Sequence, residues 1–209
     1  ILAWVEHRES NQAASRGHGL TRASAPAASV IKLVTASALL EAGVHPDHET
    51  CFHGGLRGLN KTHLTPSPRD NQCESLTRSL ARSSNAAFAR LTLERLKPGD
   101  LQAKAEDFLF QTLLDFDLDV QPSRFEEGRR PLQRARGAAG FRGARITPLH
   151  AALMAAAVAN DGLMMRPFLV TEDTLQPGLR RHPARLQQTL SARTADTLRQ
   201  MLAHTIKDG

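Results

Sequence analysis

The chain has 209 residues, 41% of them hydrophobic and 23% charged, with a formal net charge of +6 and a pI near 10.1. That length and apolar content suffice for one domain-sized core, and the hydrophobicity is too high for a disordered chain. Aromatic residues make up 4% with no tyrosine, which argues against recognition of nucleic acid by base stacking.

Residues 1–7 open on Ile1-Leu2-Ala3-Trp4-Val5 and read as a strand, and residues 12–25 read as a loop. Ser29-Val30-Ile31-Lys32 then heads an almost wholly apolar stretch over residues 30–42. On a helix, positions i and i+3 face the same way, which stands the Lys32 amine one turn from the Ser29 hydroxyl. A serine hydroxyl is a poor nucleophile at neutral pH and needs a base beside it. Leu33, Val34, Leu39 and Leu40 leave this helix no polar face, and burial lowers a lysine pKa toward the range useful for proton abstraction. The competing explanations are chance, since Ser-x-x-Lys arises in roughly one chain in three or four, and a serine acting only as an N-cap. Against both stands the cost of burying an unpaired lysine, the more conspicuous here because arginine is plentiful and lysine scarce.

Cys51 and Cys73 flank a loop rich in Gly, Pro, Asn and His. They fit a disulfide or a metal site drawn from His45, His48, Cys51, His53, His63 and Cys73, although no paired Cys-x-x-Cys is present. Leu76 and Leu80 precede the polar break Ser83-Ser84-Asn85, and Phe88, Leu91 and Leu96 follow it, a pattern of two helices meeting at a turn. Ser and Asn favour such turns for ordinary capping reasons. Residues 101–114 predict another helix, with Phe108 and Leu109 on its apolar side, and residues 122–143 an irregular loop. Arg129, Arg130, Arg134, Arg136, Arg142 and Arg145 crowd the latter segment among Gly128, Gly137, Gly140 and Gly143. A solvated basic loop is favoured there over a phosphate-binding patch. Thr147-Pro148 opens a helix that Asp161-Gly162 ends, residues 165–170 read as a short extended segment, and Leu190-Ser191 caps a helix carrying Ala195, Leu198, Met201 and Leu202.

Several of these segments together resemble the transpeptidase domain of penicillin-binding proteins, serine acyl-transferases that share a fold with serine β-lactamases. The segments are Ile1-Leu2-Ala3-Trp4-Val5, Pro26-Ala27-Ala28-Ser29-Val30-Ile31-Lys32, Leu80-Ala81-Arg82-Ser83-Ser84-Asn85-Ala86-Ala87-Phe88, and Ile146-Thr147-Pro148-Leu149-His150-Ala151-Ala152 through Ala159-Asn160-Asp161-Gly162. The resemblance implies a helix-rich α+β fold: an antiparallel sheet flanked by helices, a helical subdomain, and a site in the crevice between them. It implies Ser29 as nucleophile, Lys32 as its base, Ser83 as proton relay and Asn85 as substrate-binding residue. Peptidoglycan stem peptides ending in D-Ala-D-Ala would be the substrate and β-lactams the inhibitors, with neither cofactor nor metal. Resemblance to an extracytoplasmic family also tips the two cysteines toward the disulfide reading.

Two departures from the family pattern qualify the resemblance. Ala28 stands where the family often has glycine before the nucleophile, and no Lys-Thr-Gly, Lys-Ser-Gly or His-Thr-Gly occurs before the chain stops at Lys207-Asp208-Gly209. The expectation is therefore one partial transpeptidase domain over residues 1–209, lacking the C-terminal sheet strands and their oxyanion donor, and exposing unpaired strand edges when expressed alone. The full-length protein would be extracytoplasmic, with a membrane anchor upstream of Ile1 and other cell-wall synthesis proteins as possible partners. The alternatives are a carboxypeptidase or β-lactamase with Glu126 or Glu127 holding a deacylating water, a non-catalytic penicillin-binding scaffold or sensor, and an arginine-rich nucleic-acid binder.

Overall fold

A computed structural model describes residues 19–169 and 182–208. The strand expected over residues 1–7 and the first part of the loop over residues 12–25 lie outside them, as does Val170.

Helix α1 (Lys32–Glu41) runs through the middle of the molecule, with Val34, Thr35, Ala36, Ser37, Ala38 and Leu39 all buried. Helices α2 (Leu76–Ala81), α3 (Asn85–Arg95), α4 (Asp100–Asp107), α5 (Pro131–Ala139) and α7 (Ala192–Asp208) pack around it. Its two buried hydroxyls turn to backbone carbonyls, Thr35 Oγ1 donating to Ala138 O (2.9 Å) and Ser37 Oγ to Leu33 O (2.6 Å). Lys32 is thus the one ionisable side chain on the buried run of this helix.

The small sheets are antiparallel. Strands β1 (Ala25–Pro26), β4 (Arg124–Phe125) and β5 (Ala144–Ile146) form a sheet of order β1-β5-β4 at the entrance to α1. A hairpin of β2 (Glu49–Phe52) and β3 (Gln72–Ser75) pairs Cys51 with Cys73, whose sulfurs are bonded at 2.00 Å. Strands β6 (Leu163–Met165) and β7 (Arg185–Gln188) form the last hairpin, after α6 (Pro148–Ala159). The fold is α+β and helix-rich, and among the described residues no helix is long and apolar enough to cross a membrane.

Capping signals mark the helix starts well: the Thr147 side chain accepts from His150 N, Ser191 from Thr194 N and Ser75 from Arg78 N. Three boundaries differ from expectation. Helix α4 stops at Asp107 rather than at residue 114, because Leu109 (φ 65°) and Gln111 (φ 64°) adopt left-handed backbone. That turn buries Phe110 edge-on against Phe125, with centroids 6.2 Å apart, and leaves Leu113 exposed. Residues 122–143 are not irregular: they contain β4 and α5, the latter started by Pro131 and closed by Gly140 in the left-handed conformation. The extended segment expected at residues 165–170 lies earlier, at Leu163–Met165, since the chain turns at Asp161 and Gly162 directly onto β6.

The disulfide closes a separation of 22 residues, worth about 3 kcal/mol in the chain-entropy model. Urea unfolding of the oxidised protein is expected to lose about that much on reduction, and the double variant Cys51→Ala, Cys73→Ala the same amount without reductant. Two titratable thiols in the oxidised, denatured protein would count against the bridge.

Candidate active site

Strand β1 delivers the chain to the site. Ala27 N donates to Ala144 O, and Ala28 follows with φ 45°, a conformation that costs an alanine about 1–2 kcal/mol. Ser29 then sits in a 3-10 turn, Ala28–Ile31, that runs straight into α1, whose first residue is Lys32. The sequence places Ser29 at the head of an α-helix; the tighter turn keeps the pairing, because residues i and i+3 eclipse in a 3-10 helix. Lys32 Nζ lies 3.2 Å from Ser29 Oγ.

The turn between α2 and α3 supplies the other side. Ser83, also left-handed at φ 55°, places its hydroxyl 3.0 Å from Lys32 Nζ and 2.8 Å from Ser29 Oγ. Asn85 opens α3 and puts Oδ1 2.7 Å from Lys32 Nζ, and Ala139 O at the end of α5 lies 3.0 Å from the same nitrogen. Ser29, Lys32, Ser83 and Asn85 therefore meet in one cluster, with Lys32 1% exposed and no carboxylate in contact among the described residues.

Counting hydrogens shows what this cluster can do. An ammonium has three donors, and four acceptors surround it. Asn85 Oδ1 and Ala139 O can only accept, so they take two hydrogens whatever the protonation state. What remains at Nζ, a third hydrogen or a lone pair, meets the hydroxyls of Ser29 and Ser83. Burial disfavours the charged form and brings the Lys32 pKa down from 10.5 to about 8. The amine is thus held where it can exchange a proton with either serine.

Backbone groups and a second polar network fix this arrangement, and neither is legible from a motif. Asn85 Nδ2 donates to Gly55 O and Leu56 O, both at 3.1 Å, in the loop between β2 and β3. That loop is pinned to α3 by buried Arg90, which grips Asp70 through two nitrogens (2.6 and 2.9 Å) and donates to His63 O and Cys51 O. The Arg90 guanidinium holds the Asp70 carboxyl well below the usual carboxylate range, and His53 Nδ1 joins Asp70 at 2.6 Å. Ser84 donates to the buried Glu74 carboxylate beside Arg82. A buried Arg and an Asp one loop apart carry no spacing that sequence reasoning could use.

Other sequence candidates fall elsewhere. His53 and His63 belong to the Arg90 network, His63 Nδ1 meeting Asn60 N; among the described residues no three potential metal ligands converge. Glu127 is committed: one oxygen meets Arg134 Nε at 2.6 Å and the other accepts from Gly99 N and Gln102 N, while the Glu126 side chain is exposed. The basic segment is only partly solvated. Arg134 is buried against Glu127 and Leu96 O, and Arg136 donates twice to Leu59 O.

Comparison with known proteins bears on the whole arrangement. The penicillin binding protein transpeptidase domain model matches residues 1–209. A peptidoglycan D,D-transpeptidase, PbpA, of Mycolicibacterium smegmatis is 27% identical over 80% of this chain and 35% of its own length. Penicillin-binding protein A of Mycobacterium tuberculosis superposes with a TM-score of 0.75 at 22% identity, over 90% of this chain and 45% of that one. The D,D-transpeptidase domain of a peptidoglycan glycosyltransferase from Eggerthella lenta gives 0.73 at 26%, over 87% and 48%. The chain spans less than half the length of these relatives.

Gly140 makes the contact of Ala139 with Lys32 possible. It is left-handed at φ 93°, and a Cβ there would stand 2.1 Å from Ala28 O, on the backbone that presents Ser29. Gly140→Ala is expected to destabilise the protein by about 2–4 kcal/mol in urea unfolding, the sum of backbone strain and a clash that must move one wall of the site. An unchanged midpoint would show that the close approach is not maintained.

Proposed function

The chain belongs to the penicillin-binding protein transpeptidase family, and from that premise we propose that it carries the serine acyl-transfer centre of a peptidoglycan D,D-transpeptidase. The observation that carries this reading is the single buried amine shared by two serine hydroxyls.

In the proposed cycle, Ser29 Oγ attacks the carbonyl carbon of the penultimate D-Ala as its proton passes to neutral Lys32. The carbonyl oxygen gains the charge, next to the Ser29 N–H in the first turn of the helix, where backbone N–H groups lack intrahelical partners. Collapse of the tetrahedral intermediate breaks the peptide bond, and the departing D-Ala amine takes a proton from Ser83, which Lys32 Nζ replaces. An amine of a second stem peptide then attacks the ester, giving its proton back along the same path and restoring the Ser29 hydroxyl. Asn85 acts mainly by position. Both Nδ2 hydrogens hold loop carbonyls and Oδ1 holds Lys32, leaving the second lone pair of Oδ1 for a substrate N–H.

The hydrolytic alternative needs a base for a deacylating water, and Glu127 is spent on Arg134 and two backbone amides. On the transpeptidase reading, the acyl-enzyme formed with a β-lactam is long-lived. A disulfide and peptidoglycan substrates both suit an extracytoplasmic protein, which we propose is membrane-anchored in its full length.

Incubating the full-length protein with a penicillin is expected to add the mass of one penicillin in intact mass spectrometry. The adduct should persist for many minutes and be absent in Ser29→Ala. Lys32→Met is expected to slow its formation by about 10²–10⁴-fold, the range for loss of a general base. An adduct that survives Ser29→Ala would contradict the assignment, and one that vanishes rapidly would favour the hydrolase.

A further inference from the structure

A cleft of about 440 Å³ is lined by Gly58, Leu59, Asn60, Arg136, Phe141 and Arg142, residues continuous in the chain with those that hold the cluster. Both of its walls are short continuations of residues that touch the catalytic side chains. Phe141 comes two residues after Ala139, whose carbonyl holds Lys32, and Gly58 two residues after Leu56, whose carbonyl holds Asn85. Two residues span at most about 7 Å, so each wall of the cleft starts within that distance of a residue that holds a side chain of the cluster. A larger cleft of about 590 Å³ between α2 and α7 shares no residue with the cluster.

The chemistry of this smaller cleft is one-sided. Arg136 is anchored, its Nε and Nη2 both donating to Leu59 O at 3.0 and 2.7 Å, so the guanidinium is held in place before any ligand arrives. Arg142 is exposed and, among the described residues, has no hydrogen-bond or ion-pair partner. Its other side borders a second cleft lined by Glu126 and Glu127, yet neither carboxylate pairs with it. Phe141, which lines the same cleft, is 38% exposed and adds an apolar surface to a cationic lining. Gly140 sets this geometry: its left-handed turn closes α5, with Phe141 N donating to Arg136 O, and brings Phe141 and Arg142 round beside Arg136.

We propose that this cleft is a substrate subsite that binds a free carboxylate on the stem peptide, on the amino-terminal side of the scissile D-Ala-D-Ala bond. The proposal rests on the transpeptidase reading of the site. A guanidinium fits a carboxylate through paired N–H donors, and the preorganised Arg136 and unpaired Arg142 supply them without first breaking an ion pair. Phe141 covers the aliphatic stem that carries the charge. The same peptide with a carboxamide in that position offers dipoles only and binds less well.

The test separates the subsite from the chemistry. Two peptides ending in D-Ala-D-Ala, identical except for a carboxylate or carboxamide on the side chain of the preceding residue, are titrated into full-length Ser29→Ala protein. The carboxylate peptide is expected to bind about five- to tenfold more tightly, a preference that added salt reduces and Arg142→Gln removes. Equal affinities, or a preference that survives Arg142→Gln, overturn the subsite. The urea-unfolding midpoint is expected to be unchanged by Arg142→Gln, because Arg142 is exposed, and that shows the variant is folded. Failure of acylation in the unsubstituted protein would instead overturn the proposed function, while the binding comparison still decides the subsite.

Discussion

One amine buried among more acceptors than it has hydrogens governs the rest of this structure. An ammonium without a carboxylate partner is expensive to remove from water, and four oxygens around Lys32 offset part of that cost without supplying a compensating charge. The result is a lysine stabilised enough to be buried and still poised to give up its proton. A carboxylate in that shell would hold the charged form and remove the basicity the site needs. The hydrogen count then directs the chemistry, because the two obligate acceptors leave the last valence of the nitrogen to the serines.

Holding that shell together takes three separate stretches of chain, and the energetics of the fold are arranged around their meeting. The 3-10 turn brings Ser29, the α2–α3 turn brings Ser83 and Asn85, and the end of α5 brings Ala139. Two of these approaches rely on left-handed backbone in residues with side chains, Ala28 and Ser83, which is local strain sustained by the surrounding packing. Gly140 removes the Cβ that would otherwise separate α5 from the nucleophile turn. The buried Arg90–Asp70 pair and the cystine of the β2–β3 hairpin fix the loop whose carbonyls orient Asn85. They act on the reaction through the direction of one amide side chain.

Much of this was legible in the sequence, and the gaps follow a pattern. Ser29 with Lys32 and Ser83 with Asn85 could be read because side chains at short spacing on regular elements carry their geometry with them. The Cys51–Cys73 bond could be narrowed to two readings, with the resemblance tipping the choice. Helices with a side-chain cap and an apolar run, such as α6 and α7, were placed well. Helix α5 was missed because arginines and glycines mask its apolar face, although Pro131 and Gly140 bracketed it. The overlong α4 comes from reading Phe108 and Leu109 as the apolar side of a helix that continues to residue 114, when left-handed turns at Leu109 and Gln111 redirect the chain. Ala139, Gly55 and Leu56 contribute carbonyl oxygens, which every residue possesses, so no residue type could announce them. The arginine-rich stretch looked uniform in sequence, yet the fold buries Arg134 against Glu127, anchors Arg136 on Leu59 and leaves Arg142 exposed.

The proposed acylation depends on the protonation state of a single side chain, and Lys32 is one of only five lysines in this chain. Nuclear magnetic resonance of isotopically labelled lysine side chains, followed from pH 6 to 11 and assigned with Lys32→Met, reads that state directly. Burial among neutral acceptors predicts that the Lys32 resonance titrates with a midpoint of about 8. A midpoint at lysine's ordinary 10.5 would mean that the amine stays charged when the serine must lose its proton, and would contradict the assignment of Lys32 as the base.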